Sequence, residues 1–297
     1  RMMREMRDDV ARIDCTFPTP ASEAESGPAL RQAMDRIRAE AEQAVRDKRS
    51  HIVLTDEAQS AARVACPMIL AAGGVHAHLT AKGLRSFCSI GVRSAECIDA
   101  HYVAVLIGAG ATTVNPYLAF DAIADRAARG LANGLGAEQG AANYRAALEA
   151  GLLKIISKMG IAVISSYRGG LNFEAIGLSR ALVDEFFPGL QSRISGIGLA
   201  GLASNAFTRH ARAYAGAAVL PVGGFYRQRA RGEPHALEAH LIHTLQQACT
   251  DNDYDSYKRY STYVRERRIA EPIQLRDLLE IHTPPEGINV HEVESIN

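Results

Sequence analysis

The sequence predicts an α/β fold with a parallel sheet covered by helices, and three observations carry that prediction. Apolar runs of strand length alternate with stretches whose apolar residues recur at helical spacing. The loops between them are short, which suits parallel strands joined by crossover helices. Glycine and alanine dominate the middle of the chain, as expected where helices pack closely on strands.

Taken in order, residues 1–28 show no sustained apolar period, and the turn-rich TFPTP and SEAESG segments read as an N-terminal arm or linker. From Leu30 to Lys48 the apolar positions Leu30, Met34, Ile37, Ala41 and Val45 predict a helix. Ile52–Leu54 is a short buried strand ending at Thr55-Asp56, and a strand closed by an acidic turn opens a β/α unit. Residues 67–82 read as a helix despite Gly73-Gly74, 84–92 as a strand, and 98–107 as either, because an apolar run of that length fits both. Thr112–Val114 is a strand, and Asn115 is a candidate structural cap for the helix that follows to about Ala128, with Pro116 in its first turn. Further helices are expected at 143–159, 173–178, 181–187 and 202–217, with a strand at 161–165 and an apolar strand-sized segment within 192–201. Beyond Leu220 a loop rich in glycine and arginine precedes helices at 238–248 and 254–265, a short helix at 272–281, and an extended acidic tail. The organisation is therefore an arm at 1–28, a central α/β domain at 29–235, and a helical region with a connector at 236–297.

Composition narrows the function classes. The chain of 297 residues carries 33 basic and 33 acidic residues, so nothing favours broad electrostatic capture of nucleic acid or an anionic membrane. No run of about 20 residues is apolar enough to span a bilayer, and the expected location is the cytoplasm. Cys15, Cys66, Cys88, Cys97 and Cys249 are odd in number and widely spaced, without a CxxC pair. That pattern reads as free thiols in a reducing compartment and not as a disulfide scaffold or metal cage.

Candidate chemistry is sparse. GAGATT at 108–113 lacks the third glycine of a dinucleotide fingerprint and leads into a strand, so it reads as a tight turn. His76 and His78 lie two apart and point in different directions from a helix. His240 and His243 share a helix face but lack an HExxH frame. The richest segment is Lys154–Ser179. There Ser165, Ser166, Tyr167 and Arg168 would end a strand, the usual place for a site in α/β proteins, and Gly169 and Gly170 permit close backbone approach. Two readings of it stand side by side: a packed interdomain face, or an independent phosphate-binding protein or enzyme using Arg168 and the neighbouring amides. No Ser-His-Asp or paired-carboxylate spacing accompanies it.

Long, ordered segments carry a resemblance. VHAHL at 75–79, LIGAGATTVNPYLAF at 106–120, the run from Asn143 to Ser179, SRISGIGL at 192–199, LPVGGFYR at 220–227 and QLRDLLEI at 274–281, on through VHEVESIN, closely resemble the glutamate synthase large-subunit family over residues from about 30 to 297. The resemblance implies a central domain like a degenerate β/α barrel, without a cofactor or catalytic residue of its own. It implies a place between an N-terminal glutaminase domain and a C-terminal FMN-binding domain. The whole enzyme of that family makes two L-glutamates from L-glutamine and 2-oxoglutarate. It carries FMN and a 3Fe-4S cluster, and takes electrons from ferredoxin or from NADPH through a small beta subunit holding FAD and 4Fe-4S centres. The family's amino-terminal cysteine nucleophile has no match at Arg1 or Cys15, and its run of three histidines is interrupted here by Ala77. The residues carried forward as contacts between domains or walls of an ammonia tunnel are Ser157, Lys158, Met159 and Gly160, with Ser166, Tyr167, Arg168, Gly169 and Gly170. A free-standing adaptor domain is a further alternative.

Overall fold

The computed structural model describes residues 9–170, 172–216, 222–225, 227–280, 282 and 286–293. It divides into two compact units, 1–218 and 219–297, whereas the sequence placed its division after residue 235.

In the first unit the chain runs β1 (Val10–Asp14), β2 (Thr16–Pro18), α1 (Glu23–Arg46), β3 (His51–Thr55), β4 (Arg63–Ala65), α2 (Met68–Ala81), a 3-10 turn (Arg85–Phe87), β5 (Ser89–Arg93), α3 (Ala100–Gly108) and β6 (Thr113–Asn115). The helices α4 (Tyr117–Ala128), α5 (Ala137–Lys158), α6 (Ile164–Tyr167), α7 (Arg180–Phe186) and α8 (Leu199–Tyr214) follow. Strands β1, β3, β5 and β6 form a parallel sheet in that order, and β2 pairs antiparallel with β4. Each strand of the larger sheet lies beside the next one along the chain. Right-handed crossovers then put α1, α2 and α3 on one face, where α1 packs on α2 and α2 on α3.

That face holds the core. Leu30, Met34, Ile37, Ala41 and Val45 of α1 are all buried, as their spacing predicts, against Ile13, Ile52, Leu54, Ile90 and Val92 from the sheet. Gly73 and Gly74 let α7 approach α2: a Cβ at Gly73 would lie 2.2 Å from the Phe187 ring, and one at Gly74 would lie 3.0 Å from Phe186. The opposite face is polar toward its carboxyl edge, where Asp14, Thr55, Arg93 and Asn115 stand in register across the four strands.

Several expectations need correction. The expected arm at 1–28 supplies the edge strand β1, the strand β2 and the start of α1. Its period-two signal lay in Ile13, Cys15 and Phe17, all buried, and was obscured by the intervening Arg12 and Asp14. The strand expected over 84–92 is shorter, with Arg85–Phe87 in a 3-10 turn, while the ambiguous 98–107 is helical as α3. Residues 161–165 form no strand: Ile164–Tyr167 is one helical turn, with Val163 58 % exposed. Residues 173–178 are not a helix but lie extended, bridging Glu174 to Gln191 and Leu178 to Ile197. Asn115 does not cap α4, whose N-cap position is Pro116; it ends β6, and its Oδ1 accepts from Arg93 Nη1 at 3.3 Å.

The second unit contains a helical hairpin, α9 (Ala239–Thr250) packed on α10 (Tyr254–Ala270). Asp253 caps α10 by accepting from the backbone N–H groups of Asp255 and Ser256 at 3.0 and 3.2 Å. Glu238 pairs with Arg267 at 2.7 Å and accepts from the Tyr263 hydroxyl at 2.7 Å. His240 meets the Tyr263 ring edge-on. A 3-10 turn at Leu275–Leu278 stands where the last short helix was expected, and much of the tail after it lies outside the described residues.

Candidate functional site

Three of the sequence motifs converge at the amino-terminal edge of the parallel sheet. α3 ends at Gly108, and the chain turns through Ala109–Thr112 into β6. Gly110 makes that turn with φ of 111°. The SYRGG loop docks here, since Gly169 N–H donates to Gly108 O at 3.2 Å and Arg168 Nη1 reaches Thr112 Oγ1 at 3.5 Å. Phe173 packs so closely on Gly108 that a Cβ there would fall 2.2 Å from its ring. The SYRGG residues thus stand at the edge opposite the one the sequence suggested, because no strand precedes them.

His76 on α2 completes the locus. As the spacing requires, His76 and His78 diverge: His78 Nε2 bonds Glu42 Oε2 on α1 at 2.7 Å, while His76 faces the loop. Arg85 Nε donates to His76 Nδ1 at 3.0 Å, and the same guanidinium donates to Cys88 O and Gly110 O at 2.6 and 2.8 Å. A guanidinium has no acceptor, so Nδ1 accepts and the imidazole proton sits on Nε2. Burial, with the positive charges of Arg85 and Arg168, depresses the His76 pKa to about 4 and keeps the ring neutral near pH 7.

A cavity of about 350 Å³ opens beside this ring, lined by His76, Ala77, Gly169, Phe173, Phe187 and Leu190 among others. Tyr167 is buried beneath the loop, with its ring 6.5 Å from that of Phe173 and its pKa raised by burial. The two loop amides are already used, Gly169 N–H on Gly108 O and Gly170 N–H on Tyr167 O. They do not form a phosphate cradle.

Ser157, Lys158, Met159 and Gly160 sit elsewhere, at the end of α5. Gly160 (φ 71°) donates to Ser157 O and Ile161 to Ile156 O, both at 3.0 Å. This is the paired hydrogen-bond pattern of a glycine-terminated helix, with Ile156 in the core and Ile161 packed against it. Among the described residues no hydrogen bond joins this terminus to the SYRGG loop.

One buried cluster was missed from the sequence. Asp56, fully buried after β3, accepts from Ser94 Oγ at 2.8 Å and from Ala95 N–H at 3.0 and 3.1 Å. Burial raises its pKa, against hydrogen bonds from Ser94, Ala95 and Tyr117. Tyr117 is pushed up to about 12 by burial and the Asp56 charge, and its ring lies under Arg93 at 4.9 Å. The signal available was Thr55-Asp56 closing a strand. Among the described residues no histidine bonds Asp56 or Ser94, so the cluster ties the carboxyl ends of β3 and β5 together. Asp56→Ala removes the acceptor used by Ser94, Ala95 and Tyr117 and is expected to cost about 2 kcal/mol or more, read from urea unfolding; a change under about 0.5 kcal/mol would remove this role.

Among the described residues no group of three or more His, Cys, Asp and Glu side chains is placed to hold a metal ion. Cys15, Cys66, Cys88 and Cys97 are buried and their pKa values raised, those of Cys66 and Cys97 to about 12.

A family model described as the glutamate synthase central domain matches residues 1–179, more than half of the chain. The chain belongs to the glutamate synthase central-domain family. Over its whole length it is 56 % identical to the glutamate synthase [NADPH] large chain of Azospirillum brasilense, of which it covers 19 %. It is 36 % identical over 90 % of its length to the NADPH large chain of Bacillus subtilis, covering 17 % of that protein. Over 96 % of its length it is 34 % identical to the ferredoxin-dependent glutamate synthase of Pyropia yezoensis, of which it covers 19 %. The chain thus spans under a fifth of the length of these relatives, which are named as NADPH- and ferredoxin-dependent enzymes. Its open, four-stranded parallel sheet with helices along one face is the form the degenerate barrel takes here.

Proposed function

We propose that this chain is the noncatalytic central domain of a glutamate synthase large chain, joining a glutaminase domain to an FMN-binding synthase domain and helping to wall the ammonia passage between them. The observation that carries this reading is the end-to-end match to a large chain about five times as long. The complete enzyme would convert L-glutamine and 2-oxoglutarate to two L-glutamates. NADPH is the reductant favoured by the names of the Azospirillum and Bacillus relatives. FMN and the 3Fe-4S cluster would be held elsewhere in that polypeptide, and FAD, 4Fe-4S centres and NADPH in a small beta subunit. A cytoplasmic location agrees with this reaction, and no helix among the described residues is long and apolar enough to cross a membrane.

Exposed apolar side chains support an interdomain role for the α5 terminus and the loop after it. Met159, Val163 and Ile164, which precede the SYRGG loop along the chain, are 44 %, 58 % and 44 % exposed. Ammonia in transit must avoid bulk water, because protonation removes its lone pair, so small residues such as Gly169 and Gly170 suit a passage wall. Gly170 is a poor site to test, since a Cβ there would crowd Asn172 and two carbonyls of its own loop. Gly169 has φ of 74° and only His76 within reach, and asparagine tolerates that conformation best after glycine. In the complete enzyme, Gly169→Asn is expected to raise the ratio of glutamine hydrolysed to glutamate formed at least twofold. An unchanged ratio, with folding intact, would remove the loop from the passage.

A further inference from the structure

The surroundings of the cavity beside His76 contain an electrostatic imbalance. Arg85 and Arg168 are both half-buried, and each acts as a positive charge on the His76 ring. Among the described residues neither is paired with a carboxylate: Arg85 spends its donors on two carbonyl oxygens and His76 Nδ1, and Arg168 has one long contact with Thr112 Oγ1. Half-buried guanidinium groups without a counter-charge are costly, and the cost is relieved by an anion. His76 adds a directed donor, since its proton sits on Nε2, the nitrogen facing Gly169, and among the described residues that nitrogen has no hydrogen-bond partner.

The cavity walls restrict which anion fits. Phe173, Phe187, Pro188, Leu190 and Ala77 are apolar and, with His76 and Thr80, line a partly open cavity of about 350 Å³, roomy enough for one ring or a branched alkyl group. Phosphate is disfavoured, because the loop amides are used and an apolar wall would strip its charge of water. A dicarboxylate would place its second charge among phenyl rings, and a cation would meet two guanidinium groups.

We propose that this cavity binds a small monocarboxylate with an apolar body of ring or branched-chain size, its carboxylate facing His76 Nε2–H and Arg168 and its body lying among Phe173, Phe187 and Leu190. The cavity shares Gly169 with the proposed passage wall, but carboxylate binding is read by calorimetry and the passage by the ratio of hydrolysis to glutamate formation, so the two readings fail independently.

Titration calorimetry on the complete enzyme tests it, with 3-phenylpropanoate as the probe and 3-phenylpropanamide and 3-phenylpropylamine as its neutral and cationic counterparts. The carboxylate is expected to bind at one saturable site, with the amide at least tenfold weaker and the amine without detectable binding. Arg168→Met is expected to weaken the carboxylate at least tenfold while leaving the amide unchanged. Ala77→Leu, which fills the cavity from the surface of α2, is expected to abolish both. Equal affinity for carboxylate and amide, or carboxylate binding indifferent to Arg168→Met, would overturn the proposal. Absence of any saturable binding sensitive to these two substitutions would also overturn it, in favour of a carboxylate from another segment already filling the site.

Discussion

Gly110→Ala is expected to destabilise the sheet-bearing unit by about 2–6 kcal/mol, combining backbone strain and overpacking of about 1–3 kcal/mol each. At φ of 111° an alanine is strained whatever the space around it, and the space is already taken: a Cβ would fall 2.3 Å from the His76 ring. The ring cannot easily swing away. Arg85 grips its Nδ1 while also holding the Gly110 carbonyl, so the colliding groups are tied to each other. Gly130→Ala is the proper control, because Gly130 has φ of 69° and open space around it. Strain alone should cost about 1 kcal/mol there. Urea unfolding of the two variants separates the effects, and equal losses would mean that the ring yields without resistance.

Acidification should act through the same histidine. A neutral, half-buried His76 has a pKa of about 4 in the folded protein against 6.5 for the free side chain. Between those values the unfolded chain binds a proton that the folded chain does not, so stability rises with pH across the window. The contribution is complete above pH 6.5 and is lost as pH falls toward 4. The shift corresponds to up to about 3 kcal/mol. Asp56, whose pKa is raised, has the opposite sign and contributes at the acid end of the range. His76→Asn isolates the histidine, since the amide oxygen can still accept from Arg85 but nothing titrates. Stability of the wild-type protein relative to this variant, measured by urea unfolding at several pH values, should fall between pH 6.5 and 4. A constant difference would show that the ring protonates freely in the folded state.

What the sequence made legible was whatever depends on local periodicity. α1 was evident from five apolar residues on one face, and GAGATT was readable as a turn into a strand because threonine replaced the last glycine. β1 was missed because Arg12 and Asp14 project from the polar face of the sheet and break up the apolar run. Residues 161–165 were misread for the reverse reason: a short apolar run is strand-like in isolation, and only neighbouring strands decide whether it pairs. The site divides along the same line. His76, Gly110 and Arg168 each lie in a segment that stood out, but nothing in the sequence near Arg85 indicates that it joins a helix, the Gly110 turn and the residue just before β5. Its role exists only after three separate segments have been brought together.

The neighbour-by-neighbour order of the parallel strands bears on how the domain is made. Each parallel strand pairs with the one synthesised just before it, so the sheet can assemble in step with translation, one β/α unit at a time, at little loop-closure cost. The exceptions are α7 and α8, which pack back on α2 and α1 from more than 100 residues downstream. Until they emerge from the ribosome, the outer surfaces of the first helices lack their cover. This part of the nascent chain is then most exposed to aggregation just before α7 and α8 arrive, although its sheet is already complete.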